Sequence, residues 1–332
     1  MIARVAEHCF WFGRYIERSE STARMLAVTL QLALDGELTP QQCWKPAVIV
    51  AGEQEQFEEK HGERYDDGEL VQKFLTWEDE NWCSLRRSVA AARDNGRSIR
   101  ELLSLEAWEA LNQLHLWMLQ PPARELYRDH RDGFYRHVRQ STQLCLGLLR
   151  STMLHDTPLD FIWLGVLLER AGQTARTLDV HHHALSGASG TPSLQQAMED
   201  AAWFSLLRAS SGFEAYMKRH QGRASGPTVA AFLIGDPSFP RSIRYCVHSA
   251  YDRLCEIRPP DEPTLPGGEP LERLRALDAW VAEQEYANLD LGSIHEMLTR
   301  VVVETAAVCD GIGKELFGLQ PEPPQTQSQS QG

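Results

Sequence analysis

Lysine is scarce in this 332-residue chain, standing only at 45, 60, 73, 218 and 314, so that 28 of its 33 basic residues are arginine. A GC-rich genome would produce such a skew by codon bias; guanidinium also serves as a planar fork for carboxylate or phosphate. Positive charge is scarce overall. A formal net charge of −13 argues against nucleic acid or an anionic membrane as the main partner. Long apolar runs are missing, since Arg4, Glu7, Arg14 and Glu17 interrupt the first twenty residues and no stretch approaches about 18 uncharged apolar residues. That argues against a secretory leader or a spanning helix. The seven cysteines, at 9, 43, 83, 145, 246, 255 and 309, show no C-x-x-C or zinc-like spacing, which fits reduced thiols in a cytoplasmic protein. No G-x-G-x-x-G, Walker loop, H-E-x-x-H or G-x-S-x-G occurs. The chain has no recognisable nucleotide site of its own. Metal binding is not expected either: the one Glu-x-x-His pair, Glu58 and His61, lies in a polar stretch, and His181, His182 and His183 are adjacent residues that a helix splays about 100° apart.

What the chain does have is an internal repeat. Residues 11–28, WFGRYIERSESTARMLAV, return as residues 163–180, WLGVLLERAGQTARTLDV, ungapped and offset by 152 positions. Trp11, Gly13, Glu17, Arg18, Thr22, Ala23, Arg24, Leu26 and Val28 recur as Trp163, Gly165, Glu169, Arg170, Thr174, Ala175, Arg176, Leu178 and Val180. An offset near half the chain points to one duplicated unit, not a solenoid. On a helix Gly13, Glu17, Glu20 and Arg24 share a stripe flanked by Arg14 and Arg18, and the copy gives Gly165, Glu169, Gly172 and Arg176. Charges on an otherwise apolar helix are costly to bury unless paired. Two readings follow: a buried lattice bracing two central helices about a pseudo-twofold axis, or a ligand site.

Helical periodicity dominates elsewhere, with helices expected at 3–35, 82–103, from Ser104 to Pro121, and at 123–129, 132–154, 159–185, 193–219, 228–234, 239–257, 271–286 and 289–317. Pro40 reads as a stop, GERYDDGE at 62–69 as a loop, and the segments 186–192, 221–227 and 259–270 as breaks. No alternating β-branched run competes. The expected fold is therefore all-α, a helical bundle of two duplicated halves in one domain over 1–318, with 319–332 (PEPPQTQSQSQG and its lead-in) a disordered tail.

Two further constellations bear on chemistry. Arg86, Arg93, Arg97 and Arg100 fall on one side of a helix, where like charges repel. They are expected to face the repeated helices, with Glu17, Glu20 and Glu169 as acidic partners; a solvated face is the alternative. In GDPSFPRSIRY at 235–245, Asp236-Pro237 forms a turn and Ser238 with Pro240 opens a helix whose N-terminus, with Arg241 and Ser242, suits a phosphate or carboxylate.

With these motifs the chain resembles the bacterial alpha-E domain family over about residues 1–318. Trp11, Gly13, Arg14, Glu17, Arg18, Glu20 and Arg24 match its first motif, Arg93, Asn95, Arg97 and Arg100 its second, ERAGQTARTLDVHHH at 169–183 its third, and Asp236, Pro237, Pro240 and Arg241 its last. Val166 and Gly172 depart, standing where the pattern has Arg and an acidic residue. The resemblance implies a partnership with circularly permuted ATP-grasp ligases and transglutaminase-like proteins in ATP-dependent amide or peptide bond formation. ATP and magnesium would sit on the ligase and no cofactor on this chain; a homo-oligomer is compatible with this. In the catalytic version Glu17, Glu20 and Glu169 supply acid/base chemistry, while Arg14, Arg18, Arg24, Arg93, Asn95, Arg97, Arg100, Arg170, Arg176 and Arg241 bind substrate or anion. In the rival version the chain is a non-catalytic scaffold. Burial discriminates them: an open cleft favours chemistry, a closed and mutually saturated cluster favours bracing.

Overall fold

The computed structural model describes residues 2–35, 38–185, 192–220, 224–286 and 291–319. All regular structure among them is helical: α1 (Ala3–Asp35), α2 (Pro40–Ala51), α3 (Gln54–His61), α4 (Gly68–Trp77), α5 (Leu85–Ser98), α6 (Leu105–Met118), α7 (Pro121–Asp129), α8 (Arg131–Thr152), α9 (Thr157–Leu185), α10 (Pro192–Ala209), α11 (Phe213–Arg219), α12 (Gly226–Gly235), α13 (Ile243–Ile257), α14 (Gly268–Glu283) and α15 (Leu291–Glu315). No helix among the described residues is long and apolar enough to cross a membrane. The segment 186–191, residues 221–223 of the expected break at 221–227, and 320–332 of the expected tail lie outside the described residues.

Several helix ends follow from local chemistry. Ser84, Ser104 and Ser242 each accept the backbone N–H of the third residue of the helix they precede. Thr39 forms a capping box with Gln42, and this corrects the expectation for Pro40: its fixed φ and missing N–H place it first in α2, where it starts a helix instead of stopping one. The expected helix 193–219 is two, because Ser211 takes a positive φ of 53° between α10 and α11. The helix expected from 239 begins at Ile243, since Ser242 supplies the cap while Asp236 folds the preceding turn by accepting from the backbone N–H groups of Ser238 and Phe239.

α1 and α9 pack against each other at the centre, with α5 and α8 on the far side of α1 and with α13 and α15 on α9. Two apolar clusters flank this pair. One joins Phe10, Phe12 and Ile16 of α1 to Leu164, Leu168 and Ala171 of α9 and to α13–α15; the other joins Leu26 and Leu32 of α1 to α2, α4, α5 and α8 through Trp44, Phe74, Val89 and Phe134. α1 is buried on most sides, as a central helix must be, and its buried residues include the charged Glu17, Glu20 and Arg24.

Glycine sets how close the central pair comes. A Cβ on Gly13 would collide with the carbonyl oxygen of Ile162, and one on Gly165 would collide with the carbonyl oxygen of Phe10. The contacts are reciprocal: Phe10 and Ile162 are themselves 152 positions apart, like the two glycines. Backbone lies directly on backbone here, an approach that only glycine permits.

Candidate functional site

One turn beyond each close-contact glycine stands a glutamate, and each points into the seam between α1 and α9. Glu17 and Glu20 are 0% exposed and Glu169 is 1% exposed. Glu17 accepts Arg170 Nε at 3.0 Å and Arg170 Nη2 at 2.8 Å, one on each oxygen. Glu169 accepts Arg18 Nε at 2.8 Å and Nη2 at 3.0 Å in the same arrangement. Each bidentate fork is the strong, geometrically specific form of a charge-assisted pair.

Beyond this reciprocal core the two sides differ, and the two sequence departures explain how. Glu169 receives a second guanidinium from Arg14, through Nε at 2.9 Å and Nη2 at 2.8 Å. Position 166, the counterpart of 14, is valine, so α9 cannot return that contact to Glu17. Arg241, just ahead of α13, fills the gap: its Nη1 reaches Glu17 at 2.8 Å and its Nη2 reaches Glu20 at 2.7 Å. Glu20 also pairs with Arg24 one turn on, as the i,i+4 spacing anticipates. Gly172 offers no carboxylate to Arg176, which instead donates Nε to the carbonyl oxygen of Val50 at 3.2 Å and lies against the space a Gly172 side chain would occupy.

Neighbours that carry no repeat signal complete the lattice. Ser21 donates to Glu17 at 3.3 Å, Gln173 to Glu169 at 3.2 Å, and Gln143 of α8 to Glu20 at 3.0 Å. Arg170 Nη1 and Thr174 Oγ1 donate to the carbonyl oxygens of Pro240 and Arg241, at 3.1 and 3.0 Å, and hold the 236–242 segment against α9. Gln143 lies in a stretch where nothing in the sequence marks it, whereas the two backbone acceptors belong to the 235–245 segment that the sequence singled out.

Electrostatics follows from these contacts. Burial alone would raise the Glu17 carboxyl, but the guanidiniums of Arg170 and Arg241 outweigh it and hold the group at about 2. Burial likewise opposes ionisation of Glu169, and Arg18 with Arg14 overrides it, leaving that carboxyl well below the usual range. The lattice is not charge-neutral, because six arginines (14, 18, 24, 170, 176 and 241) surround three glutamates. Arg24 registers the excess: burial, then the nearby guanidiniums of Arg241 and Arg139, pull it down to about 9, and its buried Nε has no hydrogen-bond partner. The crevice beside Arg170, Arg241, Gln173 and Thr174 measures about 30 Å³, room for little more than a water.

The arginine stripe of α5 corrects an expectation. Arg86 pairs with Asp79 at 2.9 Å, Arg93 with Asp94 at 3.2 Å, and Arg97, whose side chain is 64% exposed, lies 4.0 Å from Asp94. Arg93 and Arg100 flank Trp108, each 5.8 Å from its ring centre. Leu85, Val89, Ala92 and Gly96 form the buried face of α5 instead, so the arginines point away from the repeated helices and do not meet Glu17, Glu20 or Glu169. Asn95 ties α5 to α1 through His8 Nδ1 at 2.9 Å and is thereby separate from the lattice. The seven cysteines are unpaired, and no group of three or more His, Cys, Asp or Glu side chains among the described residues is placed to hold a metal ion.

Comparison with known proteins finds three mycobacterial relatives, the uncharacterized protein Mb2597 of Mycobacterium bovis and the uncharacterized proteins MT2643 and Rv2567 of Mycobacterium tuberculosis. Each is 24% identical over 262 residues, covering 73% of this chain and 28% of the relative. The chain therefore spans little more than a quarter of the length of those relatives. No solved structure matches. A family model described as a predicted alpha-helical domain with a conserved ER motif matches residues 1–317, and the chain carries Glu-Arg dipeptides at 17–18 and 169–170, the four residues of the reciprocal forks. The chain belongs to the Alpha-E family.

Proposed function

We propose that this chain is a non-catalytic helical component of an ATP-dependent amide- or peptide-bond-forming system, working beside an ATP-grasp-like ligase that carries the ATP and magnesium chemistry. In this reading α1 and α9 are copies of one unit meeting about an approximate twofold axis, and the Glu/Arg lattice braces them. The carrying observation is that Glu17 and Glu169 are fully enclosed, each saturated by two arginines. A general base has to reach the proton it removes and works best with a pKa near the operating pH. Glu17 at about 2 meets neither requirement. The reciprocal forks and the paired glycine contacts support the twofold relation, since an isologous contact sends residue i to j and j to i. The mycobacterial relatives support a companion activity, as about three quarters of each chain lies outside the matched region.

The test is Glu17→Gln, assayed for unfolding and for ligation by the cognate ATP-grasp ligase. A brace predicts a loss of about 3–5 kcal/mol in stability, because Arg170 and Arg241 lose their common anion, with full activity per folded molecule. A general base predicts the reverse, a fall of roughly 10²–10⁴-fold in rate at unchanged stability. That second result would overturn the proposal.

A further inference from the structure

Away from the glutamates, a cleft of about 330 Å³ opens between the C-terminal end of α8, the first turns of α9 and the face of α13. Its size falls in the range of small-molecule sites. Trp163 of the second repeat lines it, and its surroundings differ from those of its counterpart in the first repeat. Trp11, the counterpart of Trp163, is covered by Tyr15, stacked on it with ring centres 5.6 Å apart. Position 167, the counterpart of 15, is leucine, so the indole of Trp163 has no such cover. Tyr245 of α13 lines the same cleft.

The charge within the cleft is uneven. Arg253 and Asp160 cancel each other at 2.8 Å. Asp252 stands at the exposed rim, 3.9 Å from His248. Arg150 is exposed, forms no ion pair among the described residues and holds its guanidinium 5.8 Å from the Trp163 ring centre. Arg170 forms part of the wall, with three of its five N–H groups committed to Glu17 and Pro240 and two left over. Behind it lies the lattice with twice as many guanidiniums as carboxylates.

We infer that this cleft binds a small organic anion, a carboxylate or phosphate monoester with an aromatic or apolar body, the body lying on Trp163 and the anionic head on Arg150 and the free N–H groups of Arg170. Both head groups match the guanidinium fork, and the aromatic wall separates such a ligand from a bare ion. The inference stands on the cleft alone and does not require the ligase partnership.

Calorimetric titration of the full chain with phenylacetate, phenyl phosphate, phenylacetamide and inorganic phosphate tests it. At least one of the two aryl anions binds, and the stronger of them identifies the head group; the neutral amide and the bare phosphate bind at least tenfold more weakly. Arg150→Ala, a change at an exposed position, weakens that binding at least tenfold with an unchanged unfolding temperature. Leu167→Tyr abolishes it by covering Trp163 as Tyr15 covers Trp11. If Leu167→Tyr fails to fold, the Arg150→Ala comparison decides alone. Absence of aryl-anion binding at millimolar concentration, equal binding of the amide, equal binding of inorganic phosphate, or indifference to Arg150→Ala each overturns the inference.

Discussion

Arg170 holds Glu17 with Nε on one carboxylate oxygen and Nη2 on the other, at 3.0 and 2.8 Å, across 153 residues of sequence. Glu17 is sealed from water, so solvent cannot take over the pairing of its charge when the arginine is removed.

Acid should expose this dependence. A carboxyl held at about 2 in the fold and near 4.5 when free contributes its stabilisation fully above the free value, then loses it as pH falls toward the folded value. Glu169 is shifted in the same direction. Unfolding free energy measured from pH 6 downward should therefore hold steady to about pH 5 and fall by a few kcal/mol between about 4.5 and 2. A flat profile across that window would show that the lattice contributes no linkage.

Backbone contact at the glycines makes a separate prediction. Gly13→Ala and Gly165→Ala place a methyl group against a carbonyl oxygen of the opposite helix, which yields only if α1 and α9 move apart. Each should cost more than about 2 kcal/mol in urea unfolding, despite alanine's better helix propensity. Gly147, with open space where a Cβ would stand, is the control: Gly147→Ala should be neutral or slightly stabilising.

Two arginines in motif segments should part company. Arg241→Ala strips one donor from Glu17 and one from Glu20 and should destabilise by about 3–5 kcal/mol. Arg97→Ala, at a 64% exposed side chain with a partner at 4.0 Å, should stay within about 0.5 kcal/mol. Similar losses in both variants would restore the α5 stripe to the lattice.

These contrasts show where the sequence was legible. The repeat placed Glu17, Arg18, Glu169 and Arg170 on facing helices because a polar pattern duplicated inside an apolar segment needs a partner, and its likeliest partner is its own copy. Arg241 was recoverable from the turn chemistry ahead of α13. The α5 arginines were misplaced because helical spacing says which residues share a face, not which face is buried. Leu85, Val89, Ala92 and Gly96, at matching spacing on the other side, held that answer. Gln143 and the carbonyl oxygen of Val50 carry no local pattern, since any glutamine or peptide group can serve once packing brings it close. The cleft around Trp163 was invisible for a related reason: α8, α9 and α13 line it together, and spacing along any one helix does not show where three of them leave a gap.

The distance in sequence between α1 and α9 also sets the order of events during synthesis. At about 5–20 residues per second, Glu17 leaves the ribosome roughly 8–30 seconds before Arg170, and longer still before Arg241. Until then Glu17 and Glu20 have only local cations such as Arg24 for company, and the apolar flank of Gly13 faces water. The docking of α1 thus waits on the arrival of the second copy of its own motif.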